Sequence, residues 1–248
     1  MDAVVLAGGS PDDPLAARYG VAAKTLVPVH GRPMVAYTLE ALRATPEVGR
    51  VVYVGPAPEG GLSPEPDVLL PDQGSMIANL EAGLAEAVTP RVLVASGDNP
   101  FITAEAVRWL LEHAPDAALV YPIVPKEAVE QRWPGMRRTY ARLREGTFTG
   151  GNLILLDKEL FARALPMARK IVALRKNPLA LARLIGFGVL FKLLLGRLSV
   201  AELEQRAERL FGVPMRALVT PYPEVGVDAD EEEDFKWFEG EGSHANGA

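Results

Sequence analysis

The sequence predicts an α/β protein in which helices cover both faces of a mainly parallel, mixed sheet, giving a three-layer α/β/α arrangement. Two observations lead to this prediction. Short apolar runs of strand length alternate with amphipathic stretches of helix length through the first half of the chain. Polar or glycine-rich segments follow several of these runs, at the strand ends where ligands usually bind in such sheets. The 248 residues suit one large domain with an elaboration.

The strands and helices are expected in regular alternation. Pro33 and Thr103 stand at helix starts, because proline favours the first turn and threonine the capping position. Two later runs, 139–143 and 152–157, are expected to be strands that pair antiparallel at a sheet edge. The apolar runs predict strands at 4–7, 51–54, 68–70, 92–95 and 118–123, and the amphipathic stretches predict helices at 33–44, 75–87 and 103–113.

A different pattern fills residues 166–212. Its central part, PLALARLIGFGVLFKLLLGRL, is apolar on all sides of a helical wheel and carries Arg183 and Lys192. Internal cations, prolines and glycines argue against a membrane span. We expect a helical insertion buried against the protein itself; a lid or dimer face is the first alternative, and membrane contact the less favoured one. Ser199 begins a capping box, and Gly212 ends the helix that follows it.

Composition excludes several classes of function. A net charge of −6 gives no general attraction for nucleic acid. The absence of cysteine excludes disulfides, zinc–thiolate clusters and thiol nucleophiles. The first ten residues lack the features of a secretory signal, so a cytoplasmic location is expected. One domain is expected to occupy 1–238, and the polar residues 239–248 are expected to be disordered.

The first glycine-rich segment, LAGGS, follows the first predicted strand. Gly8 and Gly9 leave backbone amides uncovered, which suits the binding of an anion. The spacing of a dinucleotide fingerprint is missing, and Lys24 has no glycine before it as a Walker loop requires. The loop therefore indicates a different class of phosphate-binding protein.

A longer pattern points to that class. LAGGS, Arg18 and the stretch AKTLVPVHGRPM resemble the signature of GT-A-fold nucleotidyltransferases, the group that includes molybdenum-cofactor guanylyltransferases and sugar-phosphate nucleotidyltransferases. The resemblance implies a GT-A fold, and catalytic roles for Lys24 and Arg18. A phosphate-binding Lys24 is expected to be solvent-accessible. The matching positions are Lys24, Leu26, Pro28, Gly31, Pro33 and Met34, and the resemblance implies nucleotide contacts from Leu6, Ala7, Gly8, Gly9 and Ser10.

Four further segments extend the resemblance. In PDQGSMIANLEAGL it implies nucleotide contacts from Gln73, Gly74 and Asn79. In ASGDNP it implies that Asp98 binds a metal ion, and near the C-terminus Asp228 is the second expected ligand, with Asp230 as its competitor. Carboxylates in a chain without cysteine favour Mg²⁺. The acceptor substrate is expected at Arg142, Thr149, Gly151 and Asn152.

Together these features predict an Mg²⁺-dependent nucleotidyltransferase. It would move a nucleoside monophosphate from a nucleoside triphosphate (NTP) to a small phosphorylated acceptor and release pyrophosphate. No nucleic-acid partner is expected, and a homodimer is possible. Two alternatives stay open: a GT-A-type glycosyltransferase that uses a preformed sugar nucleotide, and a nucleotide sensor without activity, suggested by the acidic Asp12 and Asp13 in the loop.

Overall fold

A mixed sheet of nine strands forms the centre of the protein. The computed structural model describes residues 1–174 and 177–237. A separate two-stranded ribbon lies between the first two helices. The strands are β1 (Asp2–Leu6), β2 (Pro28–Val29), β3 (Arg32–Pro33), β4 (Val51–Val54), β5 (Val68–Leu70), β6 (Arg91–Ser96), β7 (Leu119–Pro125), β8 (Ala141–Leu143), β9 (Gly146–Gly150), β10 (Leu153–Asp157) and β11 (Met215–Val219).

Helices connect most of these strands and cover the sheet. Short 3-10 turns at Lys24–Leu26, Pro223–Gly226 and Glu232–Phe235 complete the connections. The helices are α1 (Pro14–Tyr19), α2 (Met34–Arg43), α3 (Met76–Glu86), α4 (Ala104–His113), α5 (Lys126–Arg132), α6 (Lys158–Leu174), α7 (Pro178–Ile185), α8 (Phe187–Leu194) and α9 (Val200–Phe211).

The strand order places β1 near the middle of a parallel group. β5, β4, β1 and β6 pair in parallel in that order, and β10 then pairs antiparallel with β6. β7 pairs antiparallel with β10 and β9 and in parallel with β11, while β8 and β9 form a hairpin. The α/β class with a mainly parallel mixed sheet, predicted from the sequence, is confirmed.

Burial on both faces of the sheet explains the continuous apolar runs. Within β1, Ala3 and Val5 join one hydrophobic cluster, whereas Val4 joins the cluster on the other face. In β4, Tyr53 faces the first cluster and its neighbours face the second. Successive strand residues point to opposite faces, so a sheet covered on both sides needs apolar residues at every position.

The later strands differ from the prediction. β10 lies between β6 and β7 in the interior of the sheet, so its expected place at an edge was wrong. Residues 139–140 precede β8, and β9 was not predicted. The antiparallel edge is formed by the β8–β9 hairpin, where Ala141 pairs with Phe148.

The expected burial of the insertion is found only in part: α8 packs through Val189 and Leu193 against the β8–β9 hairpin, but its other side is exposed. The segment folds into α6 to α9, but none of the described residues of α7 and α8 is fully buried. Phe191 is 64% exposed and Leu194 84%. Gly186, with φ of 101°, separates α7 from α8, so neither helix is long. In the described ranges we find no helix with the length and apolar character needed to cross a bilayer. The predicted tail, 239–248, lies outside them.

Candidate functional site

Two clefts open along the edge where the parallel strands β1 and β6 end. The first has a volume of about 640 Å³ and the second about 570 Å³. Tyr121 and Asn152 line both clefts, so the two spaces adjoin. The first cleft is also lined by Leu6, Gly8, Gly9, Ser10, Asp72, Gly74, Asn79, Ser96 and Gly151, and the second by Arg137, Arg138, Thr149, Gly150, Gly226, Asp228 and Asp230.

The glycine loop after β1 is clipped to the segment after β5 by one carboxylate. Oδ2 of Asp72 accepts from the Gly9 amide at 3.0 Å, and Oδ1 accepts from the Gly74 amide at 2.8 Å and from Nδ2 of Asn79 at 3.0 Å. A Cβ on Gly8 would lie 2.1 Å from Nδ2 of Asn79. Glycine is therefore required at position 8 by close packing, and the clip fixes one wall of the first cleft.

Asp72 was missed from the sequence, although it directly precedes Gln73 and Gly74. Partial burial acts to raise the pKa of its carboxyl group, but the amides of Gly74 and Gly9 outweigh burial and lower that pKa. An acidic residue at the end of a strand and just before a Gln-Gly pair was the available signal. Such a carboxylate can hold two glycine loops together.

The loop acids that suggested a sensor have a structural explanation. Oδ1 of Asp13 accepts from the amides of Leu15 and Ala16 at 3.0 and 3.1 Å and so caps α1. Asp12 is exposed. The charge of Asp13 is thus directed at a helix N-terminus, where negative charge is favourable.

Lys24 forms ion pairs with two aspartates. Its Nζ lies 2.7 Å from Oδ2 of Asp98 and also contacts Oδ1 of Asp230. Burial disfavours the ammonium, but the two carboxylates outweigh it and raise the pKa of Lys24 above its ordinary value. Next to it, Oγ1 of Thr25 donates to the carbonyl of Ala7 at 3.0 Å, which ties this turn to the end of β1.

Three carboxylates meet beside this lysine. One oxygen from each of Asp98, Asp228 and Asp230 lies within 4.8 Å of the other two. Asp98 follows β6, and the other two follow the 3-10 turn at Pro223–Gly226. Burial first, and then the charge of Asp98, raise the pKa of Asp228 to about 6, against the opposing effect of Arg138. Arg138 contacts both the side chain and the carbonyl of Asp228.

Two asparagines position the segment that carries Asp228. Nδ2 of Asn99 donates to the carbonyl of Glu224 at 2.8 Å, and Nδ2 of Asn152 donates to the carbonyl of Val227 at 2.9 Å. The Ala229 amide donates to the carbonyl of Asp98 at 3.1 Å. The segment after β6 and the segment that carries Asp228 are therefore joined at the carboxylate cluster by hydrogen bonds as well as by charge.

Residues 3–185 match the MobA-like NTP transferase domain. The chain belongs to this family. It is 32% identical over 130 residues to a molybdenum cofactor guanylyltransferase from Cupriavidus necator, a match covering 50% of this chain and 62% of that relative. The alignment thus spans just over three fifths of the curated relative.

Solved structures also resemble this MobA-like chain. A hypothetical transferase from Thermus thermophilus is 64% identical, with a TM-score of 0.89 over 94% of this chain and 98% of that one. A 2-C-methyl-D-erythritol 4-phosphate cytidylyltransferase from Thermus thermophilus is 18% identical, with a TM-score of 0.58 over 98% of this chain and 100% of that one. The similarity to the cytidylyltransferase, at this low identity, shows a shared fold.

The structure gathers most of the expected nucleotide-binding residues of this MobA-like chain at the first cleft. Ala7 and Gln73 do not line it. Ala7 is buried and pairs with Val54, and Nε2 of Gln73 donates to the carbonyl of Pro71. The residues that do line the first cleft are Leu6, Gly8, Gly9, Ser10, Gly74 and Asn79.

The two expected catalytic cations are placed differently from the prediction. Lys24 has a side chain only 17% exposed, so the expectation that it would be solvent-accessible was wrong. Its two carboxylate partners enclose it. Arg18 forms an ion pair with Glu232 at 2.5 Å and is absent from the described residues that line the clefts. A loop of this length carries Arg18 onto α1, away from the glycines.

The expected acceptor residues are divided between the two clefts. Thr149 lines the second cleft, Gly151 lines the first, and Asn152 lines both. Arg142 lies on β8 with its side chain against Gly196, near the end of α8. It lines neither cleft within the described residues.

Sequence reasoning missed the arginines that do line the second cleft. Arg137 and Arg138 stand between α5 and β8, in a segment without regular structure. The signal was the adjacent pair of arginines after Gly135 and Met136, in a chain with a net negative charge. Tyr121 was also missed, because it belongs to an apolar strand and the position of its ring between the clefts depends on the neighbouring strands.

Proposed function

We propose that this chain is an Mg²⁺-dependent nucleotidyltransferase that moves a nucleoside monophosphate from an NTP to a phosphorylated acceptor and releases pyrophosphate. The observation that carries the proposal is the cluster of Asp98, Asp228 and Asp230 with Lys24 beside it. Ser96 of the first cleft contacts Asp98, and the other two aspartates line the second cleft. The charged cluster therefore connects two adjacent binding spaces, as transfer between two substrates requires.

The first cleft is assigned to the NTP. Its wall after β1 consists of glycines and Ser10, whose backbone can approach phosphate oxygens closely. The opposite part includes Met76, Val94 and Ile154, which offer apolar surface to a base or ribose. The position of the cleft at the carboxyl ends of parallel strands agrees with the usual location of nucleotides in α/β sheets.

The reaction is an in-line displacement at the α-phosphorus. An acceptor phosphate oxygen forms a new bond to the α-phosphorus while the bond from that atom to the oxygen bridging the α- and β-phosphates breaks. The electron pair of the broken bond leaves with pyrophosphate. Because the attacking phosphate oxygen is already ionised near neutral pH, no strong general base is needed. What the protein must supply is position and positive charge.

The donor set fits a magnesium ion. Mg²⁺ prefers oxygen ligands at about 2.0 to 2.1 Å, so opposite ligands lie about 4 Å apart. The oxygens of the three aspartates, within 4.8 Å of one another, need only small side-chain movements to reach that spacing. Asp98, Asp228 and Asp230 would hold the ion, with phosphate and water oxygens at its other positions. When bound, Mg²⁺ would neutralise charge on the phosphates of the NTP.

Three cationic side chains near the clefts are assigned different roles. Lys24 holds a positive charge beside the carboxylates and would contact phosphate oxygens of the NTP. Arg138 keeps Asp228 in place. Arg137 is exposed at the second cleft and is proposed to bind the phosphate of the acceptor, because guanidinium groups suit bidentate contacts to phosphate.

The proposal is tested by pyrophosphate release from GTP, CTP, UTP and ATP with a panel of phosphorylated metabolites and Mg²⁺. GTP is tried first, because curated relatives are guanylyltransferases. Turnover that needs an NTP, a phosphorylated acceptor and Mg²⁺ together supports the proposal. Calorimetry with the same NTPs separates binding from turnover: tight binding without pyrophosphate release from any pair would instead identify a nucleotide sensor.

A further inference from the structure

An apolar stripe on helix α8 is exposed to solvent. Phe187, Phe191 and Leu194 recur at spacings of four and three residues, so they share one side of the helix. Their exposed fractions are 57%, 64% and 84%, and Leu179 on α7 is 55% exposed. Large side chains clustered and exposed in this way are uncommon on a protein that stays free in solution, and they usually mark a contact surface.

The same part of the chain carries a strong positive charge. Between residues 160 and 201 there are eight Lys or Arg and no Asp or Glu. This segment contributes +8 to a chain whose net charge is −6, so the remaining residues carry −14. Of the eight cations, the six within the described ranges are all exposed: Arg163, Arg169, Lys170, Arg183, Lys192 and Arg197. Two of the six are ion-paired, Arg169 with Glu81 and Lys192 with Glu202, but the segment that carries the apolar stripe keeps a net positive charge.

Helix α8 is held with this stripe outward. Its opposite side packs through Val189 and Leu193 against a small cluster formed by Leu143, Phe148 and Leu198. That cluster belongs to the β8–β9 hairpin and to the start of α9. The apolar stripe cannot turn inward without breaking this packing, so its exposure is fixed by the fold.

The end of α7 is fixed as well. The guanidinium of Arg206, on α9, donates to the carbonyls of Leu184 and Ile185 at 2.6 Å each. These contacts satisfy carbonyls at a helix C-terminus, which would otherwise lack partners. Both short helices of the insertion therefore present a defined surface.

Charge decides between the possible occupants of this surface. In a two-fold symmetric dimer the same face would meet itself and bring like charges together, because residues 160–201 hold no Asp or Glu. A bilayer surface with anionic lipids suits both the apolar stripe and the positive charge. Apolar side chains enter the acyl boundary, while Lys and Arg reach the headgroups. Helices this short, with internal cations, lie on a membrane instead of crossing it.

We propose that α7 and α8 attach this protein to the surface of a bilayer that contains anionic lipids, with Phe187, Phe191 and Leu194 below the headgroups. Because α8 packs on the hairpin whose strand β9 lines the second cleft through Thr149, attachment would place the acceptor side of the protein near the lipid surface. The proposal concerns binding and does not depend on the transferase activity.

The test is co-sedimentation of the whole protein with vesicles of phosphatidylcholine, alone or in equal parts with phosphatidylglycerol. We expect at least about tenfold stronger binding to the anionic vesicles, and loss of most of it at about 0.5 M salt. The variant F187S/F191S/L194S should bind at least about tenfold more weakly. V88S is the matched control, because Val88 is an exposed apolar residue, 74% exposed, in the connection from α3 to β6.

A second measurement does not depend on the triple variant folding. In F191W the new indole should shift its fluorescence to shorter wavelength and be quenched by brominated lipid when anionic vesicles are added, while the wild-type signal stays unchanged. Equal binding to both kinds of vesicle, or an F191W signal that does not respond, would overturn the proposal. Absence of vesicle binding, together with a dimer in sedimentation equilibrium that dissociates in the triple variant, would assign the face to a second copy.

Discussion

The ammonium of Lys24 and the carboxylate of Asp98 form an ion pair, with Nζ 2.7 Å from Oδ2. Lys24 stands in the 3-10 turn after the glycine loop, and Asp98 follows β6. Both side chains are only 17% exposed. The pair therefore fixes the glycine loop relative to the carboxylate cluster, and the lysine offsets part of the negative charge of the aspartates.

The first prediction concerns this lysine. K24A should lower the rate of nucleotidyl transfer by about 100- to 1,000-fold, because loss of a positive group near developing charge costs about 2.7 to 4 kcal/mol of barrier. It should not weaken divalent-metal binding, since the removed ammonium shares its carboxylates with the proposed metal site. Pyrophosphate release measures the rate, and calorimetry measures metal affinity.

R18A is the comparison variant, because Arg18 was the other expected catalytic cation and it pairs with Glu232 at the surface. Its transfer rate should stay close to the wild-type rate, since exposed ion pairs contribute little. A wild-type rate in K24A would remove Lys24 from the mechanism. A large loss in R18A would show that Arg18 leaves Glu232 and reaches the substrate.

The second prediction concerns Gly8. In G8A the new Cβ would lie 2.1 Å from Nδ2 of Asn79 and 2.9 Å from Oδ1 of Asp72. The clip between the two loops must then open, which should lower the free energy of unfolding by about 1 to 3 kcal/mol and weaken NTP binding. Thermal unfolding and calorimetric titration measure the two effects.

G49A provides a matched glycine substitution outside the site. Gly49 is exposed, and the nearest heavy atom to its added Cβ is 3.9 Å away. It should keep wild-type affinity for the NTP and wild-type stability within about 1 kcal/mol. Unchanged NTP affinity in G8A would mean that the nucleotide does not use this wall of the first cleft.

The third prediction separates two candidate arginines for the acceptor. Arg137 lines the second cleft, whereas Arg142 lies against Gly196 beside the insertion. Loss of a charged hydrogen bond costs about 1.5 to 3 kcal/mol, so R137A should raise the KM for the acceptor by about tenfold or more. R142A should leave that KM nearly unchanged.

Steady-state kinetics with the acceptor varied and the NTP saturating decide between these arginines. The KM for the NTP should be similar in both variants, which makes it the internal control for an intact first cleft. If R142A raises the acceptor KM and R137A does not, the acceptor lies toward the β8–β9 hairpin, and the assignment of the second cleft is incorrect.

Much of the fold follows from local sequence patterns. The continuous apolar runs around Val4 and Val52 indicate strands covered on both faces. Successive residues of each run lie in the two hydrophobic clusters on opposite faces of the sheet, as this interpretation requires. The place of β10 between β6 and β7 could not be predicted, because strand pairing is decided by contacts distant in sequence. The exposure of Phe191 could not be predicted either, because an apolar segment does not show which part of the fold covers each of its side chains.

The residues of the candidate site were likewise predictable only in part. The place of Asp98 at the carboxyl end of β6 could be predicted, because it directly follows an apolar strand, whereas the ion pair that encloses Lys24 could not. Asp230 was expected as a competitor of Asp228, but both carboxylates reach the cluster. Arg137 lies in an irregular segment between α5 and β8, where no periodicity indicates which side chains face a cleft. Geometry that depends on such loops is visible only in three dimensions.

The last prediction concerns the metal ion. D98N and D228N should each abolish most Mg²⁺-dependent turnover, because each removes a negative charge from the proposed metal site. Asparagine keeps the size of the side chain, and at position 228 its oxygen can still accept from Arg138. The fold should therefore survive, as circular dichroism can verify. D12N, at an exposed loop position, should retain turnover and metal affinity.

The double variant D98N/D228N distinguishes a shared ion from two independent roles. If both residues hold one ion, the first substitution already disables the site, and the increase in activation free energy for the double variant should be much smaller than the sum of the two single increases. Mn²⁺ binding followed by electron paramagnetic resonance gives a readout independent of turnover, and each single variant should weaken it. Additive barriers with unchanged Mn²⁺ affinity would mean that the two aspartates act separately, because carboxylates that share one ion cannot be removed one at a time without loss of binding.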